Sequence, residues 1–316
     1  MRYIGELREG EMLSETYLCK IKQTLSTRAG KNYYSLILQD KTGTLDAKIW
    51  ELGQGIDHFE TMDYIHIDGQ VISFQGALQL NIKRVRKSRE GEYYPSDYMP
   101  TTNKDMEVMY QEIKGFISAM KDTHLKALIE YFFVNDPKFI KNFKNHSAAK
   151  SVHHSFVGGL LEHTLGVVKL CDYMAKNYPI INKDLLVSAA LLHDIGKMEE
   201  LSTFPENDYT DEGQLMGHIF IGANKVSEYI KSVPNFPTKL ANELIHCILA
   251  HHGELEYGSP KKPALIEAMA LNFADNTDAK LQTMTEMLSS GDDKAEWLGY
   301  QKLFDTNIRR STKSKE

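Results

Sequence analysis

The feature that most restricts how this chain can fold is a set of ionisable residues on apolar helical faces. Leu160, His163, Val167, Leu170 and Met174 fall at helical spacing, so an imidazole stands in a stripe that must be buried. Ala189-Ala190-Leu191-Leu192 runs directly into His193-Asp194-Ile195-Gly196-Lys197. On a helix, His193 and Asp194 lie about 100° apart, and Lys197 falls one turn beyond both. Asp275 shares its stripe with Ala268 and Leu271, His218 opens a helix after Gly217, and His251-His252-Gly253 close another. Burying an ionisable group is costly unless it is paired or bound to metal. A cluster of caps and salt bridges would account for the His193-Asp194-Lys197 edge alone. A shared metal site accounts for all of these residues together. Imidazoles and carboxylates without thiolates suit Mn2+, Fe2+ or Zn2+, and suit Mg2+ less well.

The rest of the chain divides in two. The first 90 residues read as short strands: 17–22, 33–38, 44–50, 64–74 and 77–85, with a brief helix at 55–59. Five strands with a helix before the fourth suggest a small all-β barrel of the oligonucleotide-binding (OB) type. Residues 91–105, with Gly91, Pro95 and Pro100, read as a linker. From 106 to about 290 the period is helical, with segments at 106–120, 123–134, 137–145, 159–176, 183–197, 218–232, 237–252 and 263–280. Residues 291–316 read as a polar tail. His246 falls off the face of His251, and His124 and His146, lacking such context, read as surface residues.

These motifs resemble the HD metal-dependent phosphohydrolase superfamily. The skeleton is His163 … His193-Asp194 … Asp275, supported by Gly158-Gly159-Leu160-Leu161-Glu162-His163-Thr164 and His193-Asp194-Ile195-Gly196-Lys197. With an OB-like domain ahead of it, the chain is similar to the YhaM family of bacterial 3′→5′ exoribonucleases, from the first strand to about residue 290. That resemblance implies a β-barrel that grips single-stranded nucleic acid and an all-α HD domain that cleaves it, usually with Mn2+. It implies His163, His193, Asp194 and Asp275 as metal ligands and His218, His251 and His252 as candidates for a second ion; whether both His251 and His252 bind stays open. Two divalent ions, most readily Mn2+ with Fe2+, Zn2+ or Co2+ as alternatives, would share Asp194 and supply the nucleophile for phosphodiester hydrolysis. Lys197 suits a clamp on a phosphate oxygen. His153 and His154 suit either positioning of the terminal nucleotide or a structural role.

For the barrel, stacking and phosphate contact nominate Tyr33, Tyr34, Trp50 and Phe74, with Arg28 and Lys31 in the loop before the second strand. The run Lys83-Arg84-Val85-Arg86-Lys87-Ser88-Arg89 places five positive charges in seven residues. About half of the aromatics should be barrel core. The whole chain carries a formal charge of −6, so a nucleic-acid partner must be held by a local basic surface. Products would be nucleoside 5′-monophosphates, from RNA or single-stranded DNA. Two other readings compete: an HD hydrolase of nucleotides or cyclic dinucleotides, and a replication or regulatory factor with a relic HD domain. A relic would be free to lose ligands, yet each expected position is filled. Three scattered cysteines, no signal-like start and no apolar run near the ~18 residues of a bilayer span point to a reduced, cytoplasmic protein. Oligomeric state is left open.

Overall fold

The computed structural model describes residues 1–150, 154–290 and 295–312, and divides the chain into two compact units, Met1–Asn103 with 203–207, and the remainder.

In the first unit, β1 (Met12–Ser26), β2 (Asn32–Asp40), β3 (Gly43–Ile49), β4 (Tyr64–Phe74) and β5 (Ala77–Lys87) close into a barrel of order β1-β2-β3-β5-β4. All neighbours are antiparallel except β3 and β5. Period-2 alternation sets the faces: Leu36 and Leu38 of β2, Leu45, Ala47 and Ile49 of β3, and Ile65, Ile67 and Val71 of β4 point into the core. An irregularity in β1 between Cys19 and Ile21 bends that long strand so that it pairs with both β2 and β4. The OB-type barrel is therefore present, with two corrections. Residues 55–59 are a turn at Gly55 followed by irregular chain rather than a helix, bridged to the barrel through Ile56 and Val85. The expected linker is structured and belongs to this unit up to Asn103. Tyr93 stacks on Tyr64 at 3.9 Å, Tyr98 and Met99 are buried, and Pro95–Asp97 make a 3-10 turn.

The second unit is helical: α1 (Met106–Ser118), α2 (Thr123–Glu130), α3 (Pro137–Asn145), α4 (Gly159–Asn177), α5 (Lys183–Leu192), α6 (Lys197–Glu200), α7 (Asp211–Ile230), α8 (Thr238–Leu249) and α9 (Ile266–Ser290). Starts are set by side-chain caps. Asp105, Asp122, Asp136, Asn182 and Thr210 accept from backbone N–H groups at the heads of α1, α2, α3, α5 and α7. The apolar faces of α4 and α5 meet around Leu160, Leu161, Val167, Val168, Leu186 and Leu191, and α4 also packs against α1, α3 and α9. Among the described residues, no helix is long and apolar enough to cross a membrane. The polar tail also needs correction, because Trp297–Gln301 (β6) and Thr306–Arg309 (β7) pair as an antiparallel hairpin.

Candidate functional site

Five helical segments bring the histidines and aspartates together. His163 lies on α4, buried by the stripe that surrounds it. α5 ends at Leu192, and His193 and Asp194 occupy the tight turn between α5 and α6. α7 is broken at Gly217, whose φ of 72° and ψ of 153° are open to a residue without Cβ; His218 thus starts a fresh helical run. His251 and His252 sit in the turn after α8, where Asn272 of α9 donates to the His251 carbonyl at 2.8 Å. Asp275 projects from α9.

Asp194 is the hinge of the geometry. Its Oδ2 lies 3.4 Å from both His163 Nε2 and His193 Nε2, while its Oδ1 lies 3.5 Å from His218 Nε2 and 3.7 Å from His251 Nε2. Asp275 Oδ1 approaches His163 Nε2 at 3.2 Å and His193 Nε2 at 3.9 Å. The candidate ligand atoms form three groups: His163, His193 and Asp275; His218, His251 and His252; and, on the Nδ1 side of His163, His154, His163 and Asp278. Both His251 and His252 therefore face the second position.

The outer nitrogens fix which ring atom is available. Nδ1 of His193, His251 and His252 donates to the carbonyls of Ala190, Ile248 and Tyr257 at 2.7–2.8 Å. Nδ1 of His163 and His218 donates to carboxylates, Asp278 Oδ2 at 2.7 Å and Glu200 Oε1 at 2.9 Å. With the proton on Nδ1, the Nε2 lone pair points inward. Buried Nε2 atoms of His218 and His251 have no hydrogen-bond partner among the described residues, an arrangement that fits a bound cation. The thiolate-free donor set suits the divalent ions named above.

Electrostatics agree with this arrangement. Burial, then the neighbouring His252 and His193 rings, hold His251 well below the usual imidazole range; burial and His218 lower His252. Burial opposes ionisation of Asp194, but Lys197 and His193 overcome it and keep the carboxyl well below its ordinary value. Burial would depress His163, yet bonds to Asp194, Asp275 and Asp278 hold it well above, so a proton and a cation compete for Nε2. Lys197 is half-buried, with Nζ 2.7 Å from Asp194 Oδ2, so its ammonium faces the shared carboxylate.

Two functional carboxylates escaped the sequence reading. Asp278 accepts from His163 and, at 3.0 Å, from His154 Nε2; Glu200 accepts from the ring and the backbone N–H of His218. Asp278 stands one turn after Asp275 and Glu200 three residues after Lys197, a spacing that by itself marks neither. His154 is buried beside His163, with its Nε2 on the Asp278 carboxylate that His163 also meets. His153 lies outside the described residues. His146 is not on the surface: it is buried against the carbonyls of Ser147 and Leu201. His246 accepts from the Ala264 N–H, apart from the centre.

On the barrel, Tyr33 and Trp50 stack at 4.5 Å on the outer side of β2–β3, with Trp50 40% exposed. Phe74, at the β4–β5 turn, is 55% exposed. Tyr34 is a correction, since it shares the inward parity of Leu36 and Leu38, packs edge-on to Phe59 and carries Lys22 over its ring. Arg28, Lys31, Lys83 and Arg84 are exposed. Lys31 sits 3.9 Å from Glu51, and Arg86 is half-buried and paired with Glu92 at 2.7 Å.

The HD domain family matches residues 160–280. The 3′-5′ exoribonuclease YhaM of Geobacillus sp. (strain WCH70) is 33% identical over 261 residues, which span 82% of this chain and 79% of that relative. Among solved structures, the second OB-fold domain of replication protein A from Methanococcus maripaludis aligns at 21% identity over 28% of this chain and 96% of its own, with a TM-score of 0.22. The OB domain of Ta0387 from Thermoplasma acidophilum aligns at 16% identity over 29% and 90%, also with a TM-score of 0.22.

Proposed function

The chain belongs to the YhaM exoribonuclease family and carries an HD hydrolase domain; from that premise we propose that it is a divalent-metal-dependent 3′→5′ exoribonuclease, degrading single-stranded RNA to nucleoside 5′-monophosphates. The observation that carries the reading is the placement of Asp194. One carboxylate faces two separate groups of inward-pointing imidazoles, on a chain whose other unit is an OB-type barrel with an exposed aromatic stack.

His163, His193, Asp194 and Asp275 would hold one cation, and Asp194, His218, His251 and His252 the other. When bound, such a pair supplies Lewis-acid stabilisation of the phosphoryl oxygens and an activated water. The family resemblance points to Mn2+, and the donor set also suits Fe2+, Zn2+ or Co2+. The protein's own part is to place and charge these groups. Lys197 keeps Asp194 ionised in a buried setting, and its ammonium reaches a non-bridging phosphate oxygen on release from that carboxylate. Backbone carbonyls and the carboxylates of Asp278 and Glu200 hold the imidazoles in one tautomer, so no ligand must reorganise as substrate arrives. Tyr33 and Trp50 offer bases a stacking platform, with Arg28, Lys31, Lys83 and Arg84 along the backbone track. The 3′-terminal phosphodiester would break at the 3′ oxygen of the penultimate nucleotide, leaving a new 3′ hydroxyl for the next cycle.

The test is a 5′-labelled single-stranded oligonucleotide, as RNA and as DNA, incubated with Mn2+ or with EDTA. A descending ladder that releases 5′-monophosphates and stops in EDTA supports the reading. Internal cuts from the first time point, products ending in 3′-phosphate, or indifference to EDTA overturn it.

A further inference from the structure

Behind His163 the structure holds an arrangement that the metal ligands alone do not explain. His163 and Gly166 are one turn apart on α4, Asp275 and Asp278 one turn apart on α9, and the two helices pack together. The Asp278 carboxylate occupies the place a side chain at 166 would fill: a Cβ there would lie 2.1 Å from Asp278 Oδ1 and 2.9 Å from its Cγ. From that notch Asp278 Oδ2 accepts from His163 Nδ1 at 2.7 Å and from His154 Nε2 at 3.0 Å. His154 adopts a left-handed φ of 58°, and its N–H reaches Glu286 of α9, so the second partner of the carboxylate is itself fixed. A cavity of about 200 Å³ is lined in part by Gly166, His154, Glu162 and Asp278.

We infer that Asp278, admitted by the bare face of Gly166 and braced by His154, is the positioning residue for one of the two cation sites, the one built on His163. Its carboxylate sets the tautomer and the angle of the His163 ring. Glu200 does the equivalent for His218, by gripping both the ring and the backbone N–H of that residue at 2.9 Å. The two sites thus have separate outer supports and can be weakened one at a time. A methyl group at 166 would push the carboxylate off His163 and into the adjoining cavity, which gives it room without unfolding α4. Gly166, which touches no ligand atom, thereby becomes a requirement of the metal centre.

This inference rests on the two-cation reading above, and calorimetric titration of the ion-free full chain with MnCl2 separates the two. The unaltered chain is expected to take up two ions. Asp278→Ala should weaken one of them by about 10–100-fold and spare the other, the usual range for losing an outer-sphere partner. Asp278→Asn, whose Oδ1 still accepts from His163, should recover part of that loss. Gly166→Ala should reproduce the Asp278→Ala isotherm, and the double variant should be no weaker than Asp278→Ala alone. Glu200→Gln should weaken the opposite site. Unchanged affinity at both sites in Asp278→Ala, or losses from Gly166→Ala and Asp278→Ala that simply add, would overturn the inference and leave the two-cation reading standing. An unaltered chain that takes up no Mn2+ would overturn both.

Discussion

The barrel and the helical unit dispose of their ionisable groups in opposite ways. In the barrel, alternation sends charge outward, with Asp40 at the end of β2 buried. Lys83 and Arg84 stand in solvent, and Arg86 and Lys87 meet Glu92 and Asp63 at the surface. In the helical unit, His163, His193, Asp194, Asp275 and His251 are drawn inward and share one small volume. Surface pairs of the first kind contribute little to stability and are screened by salt. Buried groups of the second kind cost free energy unless something compensates them. A fold that tolerates such a cluster is spending stability on chemistry, whereas the barrel's charges are free to serve binding.

The sharpest way to break that contrast is at Asp194. Asp194→Asn should lower RNA hydrolysis by about 10³-fold or more, the upper end for loss of one transition-state contact, and should lower bound Mn2+ measured by elemental analysis. Hydrolysis at the unaltered rate, with metal content preserved, would place the chemistry elsewhere. At intermediate scale, Trp50→Ala should weaken binding of a single strand by about 5- to 150-fold, the equivalent of about 1–3 kcal/mol per stacked base. Fluorescence anisotropy reads this, and turnover of a nitrophenyl phosphodiester in parallel should stay unchanged. Loss of both would mean that the two units do not divide the work. The smallest effect separates two arginines on β5. Arg84→Ala should reduce the slope of log affinity against log salt by about 0.7, the value for one phosphate contact to a single strand. Arg86→Ala should change it less, because Glu92 already neutralises that guanidinium.

The comparison also explains what was legible beforehand. The inward ligands announce themselves as ionisable residues on apolar stripes, a pattern with few physical solutions. Strand alternation likewise gives the barrel, and it also carries the clue that the nomination of Tyr34 for stacking passed over, since Tyr34 shares the parity of Leu36 and Leu38. Asp278 and Glu200 were hidden because Asn276-Thr277-Asp278 and Met198-Glu199-Glu200 read as ordinary solvated helix faces. What singles them out is contact across helices, which no local window contains. The segment at 91–103 was misread for the same reason, since its prolines and glycine mark turns while Tyr93 and Tyr98 gain their role from Tyr64, about thirty residues earlier in the chain.

That Asp194 divides its two oxygens between two groups of imidazoles has a thermodynamic consequence. Sites that share a ligand are linked. Whatever factor the first ion applies to the affinity of the second, the second applies to the first. Lys197 belongs to the same balance, because it holds Oδ2 at 2.7 Å and competes with whatever else approaches that oxygen. With two ions bound as proposed, loading of the centre would be a cooperative property of one carboxylate. The dependence of turnover on free metal would carry a Hill coefficient different from one, set by a single side chain rather than by any change in the fold.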